Sequence, residues 1–116
     1  MRMLVCGGRY FKDYPHLARQ LWLISDTRPI DCVIEGGYSG ADKLAKQWAK
    51  LNGINVEEYR ADWDKYGVAA GPIRNTQMLD EGRPDFVVAF PGGAGTADMV
   101  SKAKRAGLEV IELDTK

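Results

Sequence analysis

The sequence predicts an α/β protein in which about five parallel strands form one doubly wound sheet with flanking helices. Short apolar runs alternate along the chain with longer segments of helical periodicity, which is the pattern of a parallel sheet connected through helices. Glycines cluster directly after several of these runs, where the strands of such a sheet pass into helices. We therefore expect a single Rossmann-like domain over residues 1–116 with strand order 3-2-1-4-5.

Three strands and two helices are predicted in the first half of the chain. The strands are predicted at residues 3–6, 32–34 and 54–59. The polar alternation of the third is typical of an edge strand. The first helix is expected to begin with Asp13 or Tyr14 as its N-cap and to end before Pro29, and the second to span residues 41–51.

Apolar stripes on these two helices predict which side chains enter the core. The stripe residues recur at helical spacing: Leu17, Leu21 and Ile24, then Leu44, Trp48 and Leu51. Trp22 is also expected in the core. Ser39 and Asp42 match a capping box with Asp in place of Glu. His16, the only histidine, is expected to have a capping or surface role.

A long loop, two helices and two strands are predicted in the second half. The loop is expected over residues 60–71 and a short helix over 72–79. Residues 86–90 form the most apolar run, which predicts a central strand. A helix over about 96–106, ended by a glycine, and a strand over 108–113 complete the sheet.

The composition excludes several classes of function. Sixteen Lys and Arg balance sixteen Asp and Glu, whereas nucleic-acid and membrane binders carry a basic excess, so neither partner is expected. No apolar run approaches the ~18 residues that cross a bilayer. Cys6 and Cys32 lie in apolar segments, which predicts buried free thiols in a reducing cytoplasm. With one histidine and no ligand-spaced cysteines, no metal site and no cofactor are expected.

Three of the predicted strand-to-helix loops are rich in glycine and lie at one edge of the sheet. Their residues are Gly7, Gly8 and Arg9; Gly36, Gly37, Tyr38, Ser39 and Gly40; and Gly92, Gly93, Ala94, Gly95 and Thr96. Glycine lets the backbone approach a ligand, and the helix N-termini that follow offer free N–H groups to an anion. This arrangement predicts a phosphorylated ligand. The alternative is that the glycines only form tight turns.

These loops are neither the dinucleotide fingerprint nor a P-loop. The first loop lacks the G-x-G-x-x-G spacing, and no Walker A pattern is present. The run from Pro91 to Thr96 instead resembles the PGGxGT signature of the LOG proteins, which are nucleoside-monophosphate phosphoribohydrolases. Segments 35–42, 71–78 and 93–99 are similar to the small YspA/cpYpsA-related branch of the SLOG superfamily. The resemblance extends from Leu4 to about Ile111 and implies nucleotide binding in a Rossmann-like fold.

The resemblance also implies roles for single residues. The glycine loops would hold a 5′-phosphate, Arg74 would bind the ligand, and Asn75 stands where LOG proteins have Lys. The LOG pattern places a catalytic Glu at position 99, where this chain has Met99, with Asp98 one residue earlier. Because adjacent helical residues differ by ~100° around the axis, either Asp98 does related work or the hydrolase activity is absent.

Each candidate residue also has a simpler interpretation. As catalytic candidates we consider Asp98, Arg74 and Glu35. Asp98 could instead complement a helix dipole, Arg74 could form a surface ion pair, and Glu35 could make a structural hydrogen bond rather than contact a ribose. Ligand-binding candidates on the loops also include Arg9, Tyr38, Asp62 and Asp42, the last with a capping role as its alternative. Trp63 and Tyr66 are candidates for stacking on a base.

Three functional classes follow. The first is hydrolysis of the N-glycosidic bond of a nucleoside monophosphate or of an NAD- or ADP-ribose-type ligand. The second is a nucleotide or ADP-ribose sensor without turnover. The third, single-stranded DNA binding as in the related DprA proteins, is disfavoured by the zero net charge. The resemblance to LOG proteins further implies a homodimer.

Overall fold

A computed structural model describes residues 1–114 of the chain, and its centre is a five-stranded parallel sheet. The strands are β1 Arg2–Cys6, β2 Cys32–Glu35, β3 Asn55–Glu58, β4 Phe86–Ala89 and β5 Glu109–Glu112. Their order is β3-β2-β1-β4-β5, so the predicted order 3-2-1-4-5 is confirmed and β3 is an edge strand. In β1, Leu4 is paired with Ile34 on one side and with Val87 on the other.

Five α-helices connect the strands. They are α1 Tyr14–Thr27, α2 Ala41–Leu51, α3 Trp63–Tyr66, α4 Ala70–Gly82 and α5 Ala94–Arg105. The boundaries of α2 are those predicted. The predicted loop over 60–71 instead contains α3 and a 3-10 turn over Gly67–Ala69, and α4 is longer than expected at both ends.

Two apolar cores lie on opposite faces of the sheet, as the doubly wound prediction requires. Successive residues of a strand point to opposite faces, so Met3 and Val5 pack under α1 and α2, whereas Leu4 and Cys6 pack under α4 and α5. The thiols of Cys6 and Cys32 are buried and free, as predicted. In the described part of the chain, no helix has the length and apolar character needed to cross a bilayer.

Several side chains lie elsewhere than predicted. Trp48 is buried, but Trp22 is 59% exposed and Leu51 is 70% exposed, so both were wrongly expected in the core. Trp22 is one position from the buried Leu21 and is turned ~100° away from the sheet. The side chain of His16 is buried rather than at the surface, and its Nε2 donates a hydrogen bond to the carbonyl oxygen of Asp114 at 2.7 Å.

The first helix is capped as predicted and the second is not. Asp13 is the N-cap of α1 and accepts a hydrogen bond from the backbone N–H of His16. At α2 the N-cap is Gly40, and no side chain caps the helix, so the predicted capping box of Ser39 and Asp42 is wrong. The Ser39 hydroxyl donates to the carbonyl of Arg9, and Asp42 accepts from the N–H of Tyr38.

Candidate functional site

A cleft of about 840 Å³ opens at the carboxyl ends of β1 and β4. The strand order reverses between these two strands, which is where open α/β sheets bind their ligands. Twelve of the predicted site residues line this cleft: Gly7, Gly8, Arg9, Tyr38, Asp42, Arg74, Asn75, Gly92, Gly93, Gly95, Thr96 and Asp98.

The three glycine-rich loops meet one another at this edge. The N–H of Gly8 donates to the carbonyl of Pro91 at 2.8 Å, and the N–H of Ala41 donates to the carbonyl of Gly8 at 3.2 Å. Gly40 has a φ of +81°, and a Cβ there would lie 2.1 Å from the oxygen of Gly8. At Gly92 a Cβ would lie 2.6 Å from the backbone nitrogen of Gly8. These two glycines are therefore needed for the loops to approach each other.

Gly93 and Gly95 differ from the packed glycines because a Cβ at either position would meet nothing within 4 Å. Gly93 is the N-cap of α5 and, being glycine, provides no side chain to cap this helix. The first N–H groups of a helix have no partner within it, and they carry a partial positive charge. The N-terminus of α5 is thus open toward the cleft and suits an anion.

Asp98 faces the same cleft one turn further along α5. Its Oδ2 accepts a hydrogen bond from Nδ2 of Asn75 at 3.0 Å and forms a salt bridge with Nζ of Lys102 at 3.0 Å. Partial burial disfavours the charged carboxylate, but the hydrogen bonds from Asn75 and Lys102 outweigh it and lower the pKa of Asp98. The side chain is therefore an ionised carboxylate at neutral pH. The helix has no acidic residue in its first turn, so the dipole interpretation of Asp98 is not favoured.

Met99 faces away from the cleft. Its side chain is 0% exposed and packs in the core between α5 and the sheet. The position that carries the catalytic Glu in the LOG pattern is therefore a core position in this chain. The carboxylate that reaches the cleft is that of Asp98.

Arg74 lies in the floor of the cleft and is 8% exposed, which excludes a surface ion pair. Its Nη1 donates to the carbonyl of Gly36 at 2.6 Å, and its Nε donates to Oδ1 of Asn75 at 3.0 Å. Burial raises the pKa of the neighbouring Asp42 to about 6, although Arg74 and the N–H of Tyr38 favour its charged form. The floor of the cleft thus holds a buried cation beside a buried carboxyl group.

One wall of the cleft is formed by aromatic rings and a guanidinium group. The ring of Trp63 lies 6.0 Å from that of Tyr38, centroid to centroid. The Tyr38 hydroxyl accepts a hydrogen bond from Nη1 of Arg9 at 2.9 Å, and the Arg9 guanidinium lies 4.9 Å from the centre of the Tyr10 ring. Tyr10 lines the cleft and was not predicted as a site residue. Its neighbour Arg9 was predicted to bind the ligand, so the position of Tyr10 next to it in the first glycine-rich loop could have indicated its place in the cleft.

The other loop candidates do not reach this cleft. Asp62 is the N-cap of α3, where it accepts a hydrogen bond from the N–H of Lys65 at 3.1 Å. Tyr66, unlike Trp63, does not line the cleft. Five further residues line the cleft and were not predicted as site residues: Phe11, Val68, Gly71, Pro72 and Met78. The last three lie in segment 71–78, whose resemblance to the family indicated its importance, whereas the apolar Phe11 and Val68 have no feature in the sequence that points to a site.

Glu35 lies apart from Asp98, in a second cavity of about 540 Å³ that Gly37, Tyr38 and Ser39 also line. Gly36 and Gly40 line neither cavity. The Glu35 side chain is fully buried, and its Oε1 accepts a hydrogen bond from the N–H of Gly37 at 2.6 Å. Burial, together with the nearby carboxylate of Glu58, raises the pKa of Glu35 to about 8.

Metal-binding side chains do not converge in the described residues. Within residues 1–114, no group of three or more His, Cys, Asp or Glu side chains is arranged to hold a metal ion. The chemistry available in the cleft comes instead from the helix N-terminus, an ionised carboxylate, a buried guanidinium group and the aromatic wall.

Comparisons with known proteins found a similar protein and a matching family. The chain is 37% identical to the Gene 61 protein of Mycobacterium phage D29, over 99% of this chain and 98% of that protein. No solved structure matches the chain. A model of the family described as "YspA, cpYpsA-related SLOG family" matches residues 1–66, which is more than half of the sequence. The chain therefore belongs to the YspA, cpYpsA-related SLOG family.

Proposed function

We propose that the chain binds a nucleotide-type ligand in the cleft between the ends of β1 and β4. The observation that carries this proposal is the open N-terminus of α5, which shares the cleft with the ionised carboxylate of Asp98 and with the rings of Tyr38 and Trp63. An anion site, a carboxylate and a stacking surface match the phosphate, sugar and base of a nucleotide. Membership of the SLOG family supports the same class of ligand.

The phosphate is assigned to the loop and helix turn that begin at Gly92. Gly93 and Gly95 expose backbone N–H groups there, and Thr96 adds a hydroxyl group. A guanidinium group can hold a phosphate through two hydrogen bonds, so the free donors of Arg74 decide its part in the site. Its Nε and Nη1 are already bonded to Asn75 and Gly36, and Nη2 has no hydrogen-bond partner among residues 1–114. We therefore assign Arg74 one hydrogen bond to the ligand.

The base is assigned to the aromatic wall. Stacking between a base and an aromatic side chain contributes about 1–3 kcal/mol. Trp63 is 45% exposed, which leaves its ring free to take a second partner beside Tyr38. The Arg9 guanidinium next to Tyr38 adds a planar cation that also stacks on bases.

Hydrolysis of the N-glycosidic bond is the activity that the Asp98 carboxylate favours. In that reaction the C1′–N bond breaks, and the base leaves with the bonding electrons and takes up a proton. A water molecule adds to C1′ and loses a proton, so the products are the free base and a ribose 5-phosphate group. The transition state carries positive charge on the sugar, which an ionised carboxylate stabilises.

Binding without turnover is the second candidate function, and Met99 favours it. The position of the LOG catalytic Glu is buried in the core, and Asp98 is already bonded to Asn75 and Lys102. A sensor needs the phosphate site and the stacking wall but no free carboxylate.

A proton NMR time course with AMP, NAD and ADP-ribose tests both candidates. We expect ligand signals to broaden and, if the chain is a glycosidase, free adenine or nicotinamide to accumulate. Asp98→Asn should abolish that release without loss of binding. Asp80→Asn, an exposed aspartate on α4, is the matched control. Broadened but chemically stable ligands would establish the sensor, and unchanged spectra with all three ligands would refute nucleotide binding in this cleft.

The oligomeric state and the compartment remain predictions. The resemblance to LOG proteins predicts a homodimer, which size-exclusion chromatography with light scattering tests directly. The two buried free thiols support a reducing compartment such as the cytoplasm. The balanced charge supports the view that nucleic acid is not the partner.

A further inference from the structure

The second cavity has a different chemical character from the first. It lies beside the edge strand β3, between the loop that follows β2 and one face of α2. Its volume of about 540 Å³ is large enough for part of a small molecule. Its charged lining consists of Glu35, Lys43, Lys46, Lys50, Glu58 and Arg60.

The acidic groups of this cavity do not balance its basic groups. Glu58 forms salt bridges with Lys46 at 3.0 Å and with Arg60, so its charge is already compensated. Arg60, Glu35 and Lys46 together lower the pKa of Glu58 to about 2, which keeps it ionised. Glu35, with its raised pKa of about 8, is uncharged at neutral pH. Four cationic side chains therefore face one ionised carboxylate.

Lys43 and Lys50 supply the uncompensated positive charge. Both are exposed on α2, and their spacing places them on the same face as Lys46. In the described part of the chain, neither forms a salt bridge. Lysines that converge on a cavity without a carboxylate partner are suited to a phosphate group.

Glu35 does not add a second negative charge to this cavity. Its side chain is fully buried, and its Oε2 accepts no hydrogen bond from residues 1–114. The neighbouring polar group is the carboxylate of Glu58, to which the protonated carboxyl group of Glu35 can donate. The cavity therefore has a neutral carboxyl group beside its lysines.

The two cavities share one lining side chain. Tyr38 lines both of them, and in the first cavity it is part of the aromatic wall. Because the two linings meet at Tyr38, a ligand bound in the first cleft can continue into the second cavity.

We infer that the second cavity binds a second phosphate group of the same ligand, so that the preferred ligand is a nucleotide with two separated phosphates. This inference rests on the proposed nucleotide binding in the first cleft and specifies its ligand class. The first phosphate would lie at the N-terminus of α5, and the second between Lys43 and Lys50.

Calorimetric titration with three adenine nucleotides tests the inference. AMP carries one phosphate, whereas adenosine 3′,5′-bisphosphate and the dinucleotide pApA carry two at different separations. At low ionic strength we expect at least one of the two-phosphate ligands to bind about tenfold more tightly than AMP. A tenfold gain in affinity is what two partly exposed ion pairs would add. In the double variant Lys43→Gln/Lys50→Gln that advantage should disappear while the affinity for AMP changes less than about twofold.

The matched control is the double variant Arg19→Gln/Lys104→Gln. It changes the net charge equally, and neither residue lines either of these two cavities. The control should bind all three ligands as the unmodified protein does. The unmodified protein could bind AMP while the affinities for both two-phosphate ligands are unchanged in Lys43→Gln/Lys50→Gln. In that case the second cavity is not a phosphate site and the proposed function stands. If none of the three ligands binds, both the inference and nucleotide binding are refuted.

Discussion

Asn75 donates a hydrogen bond from Nδ2 to Oδ2 of Asp98 at 3.0 Å, which joins α4 to α5 across the cleft. The same Nδ2 lies 3.1 Å from the carbonyl oxygen of Gly95, and Oδ1 of the same amide accepts from Nε of Arg74 at 3.0 Å. A single amide therefore orients the cleft carboxylate, the buried guanidinium group and the first turn of α5. Where LOG proteins have Lys, Asn provides both a donor and an acceptor.

Asn75→Ala should raise the pKa of Asp98, because it removes a hydrogen bond to the charged form. The variant should also lose about 1–3 kcal/mol of stability, since the buried Arg74 loses an acceptor. Carboxyl-carbon NMR titration of Asp98 measures the first effect, and urea unfolding measures the second. Asn52→Ala, which removes an amide at the end of α2, is the control and should leave the Asp98 titration unchanged. An unaltered Asp98 pKa in Asn75→Ala contradicts the orienting role.

Gly95→Ala should increase the stability of the protein but weaken its binding of AMP. Gly95 is helical and a Cβ there meets nothing within 4 Å, so the variant should be more stable by roughly 0.5–1 kcal/mol. The added methyl group enters the space assigned to the phosphate, so AMP should bind at least about tenfold more weakly, a loss of about 1.4 kcal/mol. Thermal unfolding and calorimetric titration measure the two effects.

Gly92→Ala is the contrasting variant at the same loop. Its methyl group would lie 2.2 Å from Thr96 Oγ1 and 2.6 Å from the backbone nitrogen of Gly8. We expect a loss of about 1–3 kcal/mol of stability, as for overpacked sites. Gly95→Ala with unchanged affinity for AMP would show that the phosphate does not lie at the N-terminus of α5.

Trp63→Ala should weaken the binding of AMP but not that of ribose 5-phosphate. The loss of one stacking surface corresponds to about 1–3 kcal/mol for a base, and ribose 5-phosphate has no base to stack. Trp22→Ala is the control, because Trp22 is also exposed but lies on α1 away from both cavities. Calorimetric titration of both ligands against both variants measures the difference. Equal weakening of the two ligands by Trp63→Ala would place the base elsewhere.

The alternation of strands with helices predicted the strand order, and the glycine-rich loops predicted the position of the main cleft. Glycines after β1 and β4 marked the edge at which the loops meet. The sequence did not decide whether the side chain of Asp98 or that of Met99 faces the cleft, because this depends on how α5 is rotated about its axis relative to the sheet. Trp22 and Leu51 were misassigned because an apolar side chain gives no sign of whether the sheet extends beneath it.

The separation of Glu35 from Asp98 was also beyond sequence reasoning. Glu35 ends a buried strand and precedes a glycine pair, which suggested a place in the main site. Its environment is set instead by Glu58, which strand pairing places opposite it on β3. The predicted strand order places β3 beside β2, but the spacing of residues does not give the register that sets Glu58 opposite Glu35. The second cavity therefore became visible only in the structure.

Glu35→Gln should change how stability depends on pH. The pKa of Glu35 rises from an ordinary 4.5 to about 8 in the folded protein, through burial and the nearby Glu58. Between those two values the folded state holds a proton that the unfolded state has released, so stability falls as pH rises from about 4.5 to about 8. Glutamine does not titrate, and it can keep the hydrogen bond from Gly37. The variant should therefore lose this dependence and become more stable than the unmodified protein above pH 8.

Urea unfolding at pH 5, 6, 7, 8 and 9 measures this difference. The free energies of unfolding of the two proteins should diverge by up to about 1.4 kcal/mol per pH unit between pH 5 and 7, the slope for one proton. Asp42, whose pKa burial raises to about 6, titrates in both proteins and cancels in the comparison. Glu81→Gln, an exposed glutamate on α4, should give a curve parallel to that of the unmodified protein. A parallel curve for Glu35→Gln would mean that Glu35 is ionised in the folded state, and the second cavity would then contain two negative charges rather than one at neutral pH.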